Sequence, residues 1–184
     1  MLAPTRELAL QIEGDAKTLG RYMEERTVAV VGGMDMQRQR ERMHSKPLDI
    51  LVATPGRLLD FVTRRDVSLR HVEILVIDEA DRMLDMGFVP DVRKIVYLTP
   101  PKRKRQTLFF SATFNDDVMR LAQAWTLEPE HVSIMPEQVT TDSVEQKFWL
   151  VSSDHKARRL VEFIKQTKPE RMLIFANRRD ATHQ

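Results

Sequence analysis

One repeating pattern governs what this chain can fold into: a short apolar run, a polar or glycine-containing turn, then a segment of helical period. Val28–Val31 leads into Gly32-Gly33, Ile50–Ala53 into Thr54-Pro55-Gly56, Ile74–Ile77 into Asp78-Glu79, and Thr107–Phe110 into Ser111-Ala112-Thr113. Leu2-Ala3 before Pro4-Thr5 reads as the stub of a fifth run of the same kind. Runs this short and this rich in Val, Ile, Leu and Phe predict strands buried on both faces. Helices are expected between them. Leu8, Ile12, Ala16, Leu19 and Met23 recur at helical spacing behind Thr5, a residue suited to N-capping. Thr54 with Pro55 marks a second helix start, proline being well placed at the first helical position. Val118, Leu121, Ala122 and Trp125 mark a third.

Alternating strands and helices predict an α/β fold with a parallel sheet and helices on both faces. Ligands of such sheets bind beyond the carboxyl ends of the strands. Every polar cluster named above sits at such an end, so all of them are expected on one rim of one sheet. Residues 136–147 lose apolar periodicity and read as a linker. The pattern then restarts with a strand at Phe148–Val151, a helix from Asp154 carrying Ala157, Leu160, Val161 and Ile164, and a strand at Met172–Phe175. The expected organisation is a first domain over 1–136, a linker over 137–147, and over 148–184 a segment too short for a core of its own.

Composition removes several function classes. The absence of cysteine excludes disulfide scaffolds and thiolate metal sites. The five histidines lie far apart, without metal-ligand spacing. No apolar run approaches the ~20 residues that span a bilayer. The N-terminus has no basic segment leading an apolar one. A soluble, cytoplasmic protein without membrane partners is the expectation. Charge is nearly balanced, 29 basic against 27 acidic residues, so phosphate recognition must rest on placed residues and backbone dipoles and not on bulk field. The local runs Arg38/Arg40/Arg42 and Lys102–Arg105 are expected to be solvated.

The sharpest chemical feature is Ile74-Leu-Val-Ile-Asp78-Glu79-Ala80-Asp81. Asp78 at a strand end suits Mg2+ held through its water shell. Glu79 is then placed to orient or deprotonate the water that attacks a γ-phosphate. Taken alone, the pair is equally at home at an ordinary helix N-terminus. Ser111 and Thr113 offer two short hydroxyls at a neighbouring strand end, which also suits a plain turn capped by Asn115 or Asp116. Pro4-Thr5-Arg6-Glu7, Gly32-Gly33 and Thr54-Pro55-Gly56-Arg57 each bring N–H groups, a hydroxyl or an arginine to a strand-to-helix turn. Together they suit tracking of a sugar-phosphate backbone without reading bases. No Gly-x-x-x-x-Gly-Lys-Ser/Thr phosphate loop occurs in the sequence.

With these motifs in this order, the chain resembles the DEAD-box ATP-dependent RNA helicases of superfamily 2, and bacterial members most. Asp78-Glu79-Ala80-Asp81 with its flank Arg82-Met-Leu-Asp-Met-Gly-Phe88, Pro4-Thr5-Arg6-Glu7-Leu8-Ala9, Gly32-Gly33, Thr54-Pro55-Gly56-Arg57 and Ser111-Ala112-Thr113 carry the resemblance. Leu173-Ile174-Phe175 is similar to the opening motif of the family's second RecA-like domain. The resemblance implies an incomplete RecA-like first domain and the start of a second. It implies ATP and Mg2+ as cofactors, Asp78 as the magnesium residue and Glu79 as the water-activating one. It further implies that Asp81, Ser111 and Thr113 couple hydrolysis to domain closure. Pro4, Thr5, Arg6, Gly32, Gly33, Thr54, Gly56 and Arg57 are implied as sequence-indifferent contacts to one RNA strand, which the family pries from short duplexes non-processively.

In that family the adenine-reading and phosphate-loop motifs precede the position of Met1, and the arginine finger follows that of Gln184. The chain is therefore expected to be a fragment, with at least one central strand lying before Met1, and not catalytically competent by itself. Two alternatives stay open at this point. One is a non-catalytic RNA-binding module; the other is a different nucleic-acid-dependent ATPase of superfamily 2.

Overall fold

The apolar runs become four four-residue strands: β1 (Thr27–Val30), β2 (Ile50–Ala53), β3 (Ile74–Ile77) and β4 (Gln106–Phe109). The computed structural model of the protein describes residues 1–134, 145 and 147–176. Strands β1 and β2 pair in parallel from Thr27↔Ile50 to Val30↔Ala53, and β3 and β4 pair in parallel from Ile74↔Gln106 to Ile77↔Phe109. The fifth run joins the two pairs. Leu2 bridges Ala53 on one side and Ile77 on the other, both in parallel. Its N–H donates to the Val76 carbonyl (2.8 Å), its carbonyl accepts from Asp78 N–H (3.1 Å), and Ala3 N–H donates to the Ala53 carbonyl (3.0 Å). The order across the sheet is thus β1, β2, the Leu2-Ala3 segment, β3, β4.

The helices are α1 (Arg6–Leu19), α2 (Met36–His44), α3 (Pro55–Thr63), α4 (Ala80–Asp85), α5 (Val89–Leu98) and α6 (Asp116–Trp125). Strand residues alternate between two apolar clusters, as the period of two requires. Leu2, Val28, Val30, Ala53, Leu75 and Ile77 face Leu58, Phe61, Met83, Val92, Ile95 and Trp125 from α3 to α6. Ala3, Ala29, Val31 and Val52 face the other way, against Ala9, Leu8 and Ile12 of α1. Helices therefore cover both faces, as expected. Phe61 is wholly buried, a burial that contributes roughly 1.5–3 kcal/mol.

Three expectations need correction. Strand β4 is not buried on both faces. Phe109 packs on the core beside Trp125, while Gln106 and Leu108 point outward with no described layer over them. Helix α1 ends at Leu19 and not near Met23, because Gly20 caps it, its N–H bonding back to Ala16 (2.8 Å). Leu19 and Met23 are consequently exposed. The third correction concerns the C-terminal part.

The chain divides into two units, Met1–Val132 and Ser133–Gln184. The expected linker at 137–147 lies, apart from residues 145 and 147, outside the described residues. In the second unit, the expected helix is present as a 3-10 turn, Ser153–His155, followed by α7 (Lys156–Thr167). Trp149 packs against Phe163 of α7, ring centroids 5.0 Å apart. The strands expected at Phe148–Val151 and Met172–Phe175 do not form, and Phe148, Leu150, Leu173 and Phe175 are exposed. A strand exists through a hydrogen-bonded neighbour, and neither segment has one among the described residues.

Candidate functional site

The carboxyl ends of β1, β2, β3, β4 and the Leu2-Ala3 segment emerge on one rim, as parallel pairing demands. The Asp78-Glu79 turn is fixed by its neighbours. Asp78 N–H is held by the Leu2 carbonyl, and Ala80 N–H by the Phe110 carbonyl (3.0 Å). Asp78 Oδ1 accepts from Glu79 N–H (2.9 Å). Glu79, the N-cap of α4, sits in the left-handed region with φ 47° and ψ 52°. For a residue with a Cβ this costs about 1–2 kcal/mol, and such strain concentrates at working positions. Arg82 Nη1 lies 3.4 Å from Glu79 Oε2, and the Glu79 side chain is about one-third exposed (38%).

Asp81 closes a ring of hydrogen bonds between the start of α4 and the turn after β4. Its Oδ2 accepts from Thr113 N–H (3.1 Å) and Thr113 Oγ1 (3.0 Å). Its own N–H donates to Ser111 Oγ (3.3 Å), which in turn donates to the Thr113 carbonyl (2.8 Å). Burial pushes the Asp81 carboxyl up, but the donors from Thr113, Arg82 N–H and Ser111 outweigh it and hold the carboxyl below its ordinary range. The structure therefore brings Asp81, Ser111 and Thr113 together. Asn115 also caps α6, accepting from Val118 N–H (2.9 Å), so the same turn both bonds Asp81 and starts a helix.

The three remaining turns also meet. Thr5 caps α1 through Leu8 N–H (3.3 Å). Gly33 has φ +74°, a conformation that favours glycine, and a Cβ there would stand 3.5 Å from Arg6 Nη1. Gly32 N–H donates to Thr54 Oγ1 (3.2 Å), and Arg57 Nη1 donates to the Met34 carbonyl (3.0 Å). Space is open above Gly32 and Gly56. Arg6 is half exposed and paired with Glu7 (3.1 Å), whereas Arg57 is only 11% exposed and braces the glycine turn. Pro4 is buried. Of these residues Arg6, Gly32 and Gly33 are exposed on the rim, and Thr5, Thr54 and Gly56 are partly so.

Several supporting residues escape a motif-level reading. Gln39 of α2, 2% exposed, reaches the glycine turn with both ends of its amide: Oε1 accepts from Val31 N–H (2.6 Å), and Nε2 donates to the carbonyls of Val31 (3.2 Å), Asp35 (3.1 Å) and Met34 (3.3 Å). The one available signal is a polar residue four positions before Met43, on the apolar stripe of its helix. The basic runs are not simply solvated. Arg40 pairs with the buried carboxylate of Asp66 (2.7 Å), and Arg42 with that of Glu13. Arg105 is buried and serves as a tie at the opposite end of β4.

Residues 1–121 match the family described as DEAD/DEAH box helicase. The chain belongs to that family. Among its relatives are proteins named ATP-dependent RNA helicase RhlB. The one from Pseudomonas putida is 52% identical over 180 residues, covering 98% of this chain and 45% of the relative. The one from Xanthomonas oryzae pv. oryzae is 41% identical over 178 residues, covering 96% and 31%. This DEAD/DEAH box chain thus spans less than half the length of these relatives. Many solved structures resemble it, two of them as follows. A hypothetical ATP-dependent RNA helicase from Sulfolobus tokodaii matches with TM-score 0.64 and 38% identity over 70% of this chain and 38% of that one. The yeast DEAD-box splicing factor Prp28 matches with TM-score 0.64 and 34% identity over 68% and 30%. The RecA-like fold of helicases in this family is therefore that of the first unit.

The donor chemistry of the Asp78-Glu79 turn fits magnesium. Asp78 offers carboxylate oxygen at a strand end, with one oxygen already oriented by Glu79 N–H. No group of three or more His, Cys, Asp or Glu side chains converges among the described residues. One carboxylate with retained waters is a common way for this ion to be held. No helix among the described residues is long and apolar enough to cross a membrane.

Proposed function

We propose that the protein containing this chain is a cytoplasmic ATP-dependent RNA helicase that uses ATP with Mg2+ and remodels short RNA duplexes through backbone contacts. The observation that carries this reading is the Asp81–Ser111–Thr113 ring, which ties the carboxylate turn to the neighbouring strand end. The relatives named as RNA helicases support it. In this reading residues 1–136 belong to the first RecA-like domain, 137–147 to a linker and 148–184 to the beginning of the second.

Asp78 would hold magnesium through water, and the bound ion would neutralise charge that develops on the transferred phosphoryl group. Glu79 orients the attacking water and takes its proton at a carboxylate oxygen. For this Glu79 must leave Arg82, a partly exposed pair that costs little to break. Asp81, Ser111 and Thr113 hold the α4 start against the turn after β4, so a displacement on one side is felt on the other. Thr5, Arg6, Gly32, Gly33, Thr54, Gly56 and Arg57 form the strand-tracking rim, with Thr54 and Arg57 acting partly through the glycine turn that they brace.

The test is steady-state ATP hydrolysis by the full-length protein, with and without single-stranded RNA. Hydrolysis is expected to be RNA-stimulated, and Glu79→Gln is expected to lower it at least 100-fold, about the effect of losing a positioned acid–base group. Indifference of the rate both to RNA and to Glu79→Gln refutes the proposal.

A further inference from the structure

We propose that Gln39 is the positioning residue that sets the shape of the Gly32-Gly33 turn for RNA, and that α2 is the mount that holds it. The inference deepens the helicase reading and rests on it. Gln39 is a buried polar side chain whose four hydrogen bonds all go to the backbone between Val31 and Asp35. A carboxamide is the neutral side chain that can accept from one backbone N–H while donating to carbonyls on either side of it. Those carbonyls belong to Val31, Met34 and Asp35, so the amide grips the turn at its entry and exit. The other flank of the turn is gripped by Thr54 and Arg57.

Between the two grips, Gly32 and Gly33 are exposed, with φ +74° at Gly33 and open space above Gly32. A turn free of Cβ atoms admits a phosphate close to the backbone, but only if its path is held. The mount is itself anchored. Asp35 caps α2 through Arg38 N–H (2.7 Å), Arg40 pairs with Asp66, and Arg42 pairs with Glu13 of α1. Helix α2 is thereby tied both to the helix that opens with Thr5-Arg6 and to Asp66 beyond α3, the helix that opens beside Thr54. Gln39 transmits that fixed position to the turn.

The test uses the full-length protein with a labelled single-stranded oligouridylate, reading RNA affinity, its salt dependence, the RNA concentration giving half-maximal ATPase stimulation, and thermal stability. Gln39→Leu leaves the Val31, Met34 and Asp35 groups without the amide and is expected to raise the half-saturating RNA concentration about tenfold. The rate at saturating RNA should stay within about twofold. The slope of log affinity against log salt should shrink by about 0.7 for each phosphate that the turn ceases to neutralise. Gln39→Glu keeps the side-chain length but turns an oxygen toward the three carbonyls, and is expected to weaken binding similarly; it carries the test if the leucine variant does not fold. Met43→Ala, buried on the same helix and facing the core, is expected to lower thermal stability while leaving RNA half-saturation within about twofold. RNA binding by both Gln39 variants equal to wild type overturns the inference, as does a Met43→Ala variant that loses RNA affinity as they do. A wild-type protein whose hydrolysis ignores oligouridylate overturns the helicase reading, and this inference with it.

Discussion

Arg105 is the side chain through which the amino-terminal end of β4 is held, and its replacement by methionine is a quantitative test of the packing. Its Nη1 donates to Thr99 Oγ1 and the Pro100 carbonyl, both at 2.5 Å, and to the Val96 carbonyl at 3.3 Å. Nη2 donates to the Trp125 carbonyl at 3.3 Å, and Nε to Thr107 Oγ1 at 3.1 Å. Among the described residues no carboxylate takes part, and the charge rests on the carboxyl-terminal ends of α5 and α6, where a cation is favoured. Burial pushes the guanidinium pKa down from its ordinary value.

Methionine conserves most of the stem volume but orphans the Pro100 and Trp125 carbonyls, at about 1–3 kcal/mol each. The Val96 carbonyl keeps its bonds from Thr99. Releasing a desolvated charge offsets part of the loss, leaving a cost of about 3 kcal/mol. For a unit of this size that is a fall of about 10 °C in Tm. Urea unfolding followed through the emission of Trp125, with Trp149→Phe in the background, measures it. Lys102→Met, in the same basic run but exposed, is expected within about 0.5 kcal/mol of wild type. A cost below about 1 kcal/mol for Arg105→Met would refute the view that this arginine ties the two helix ends.

Glu79→Gly removes a Cβ from a left-handed position and is expected to raise stability by about 1 kcal/mol while abolishing ATP turnover. Denaturant midpoints and ATPase rates on the same samples check it; a loss of stability contradicts the strain assigned to this turn. Burial raises the Glu13 carboxyl, but the Lys17 hydrogen bond and the Arg42 charge outweigh it and leave the group below its ordinary 4.5. A depressed folded pKa means that this pair stabilises fully above about pH 4.5 and loses its contribution as pH falls through the folded value. The stability gap between wild type and Glu13→Gln should therefore be constant from about pH 6 to 8 and close below about pH 4; a gap that widens on acidification would show the sign to be wrong.

What the sequence made legible follows from physics local to a few residues. Apolar four-residue runs and their turns located every strand of the first unit within one residue, and parallel pairing then placed the motifs on one rim without further information. Helices α2, α4 and α5 are expected only in that a helix follows each strand; the sequence pattern assigns no residues to them. Helix α2 is almost wholly polar, its buried side being Gln39 and Met43. Residues such as Arg42 and Arg105 read as solvated because charge in a sequence does not reveal a partner 20 or 29 residues away. Arg57 shows the same limit: an arginine read as a contact to a sugar-phosphate backbone also braces the turn beside it, a bond to the Met34 carbonyl that its position in the sequence does not reveal. The segments at Phe148–Val151 and Met172–Phe175 have strand composition but no ladder, since β structure is a property of pairs.

The Leu2-Ala3 segment has a mechanical implication. It is the seam of the sheet: β1 and β2 are laced on one side of it, β3 and β4 on the other, and only a few hydrogen bonds hold each side. The same strand of backbone runs directly into Thr5 and Arg6. A pull on that arginine is therefore delivered to the seam, whose Leu2 carbonyl holds Asp78 N–H, and is not dissipated in a surface loop. The two halves of the sheet should open to hydrogen exchange as separate units, with the amides of Leu2, Ala3 and Asp78 reporting when the seam parts.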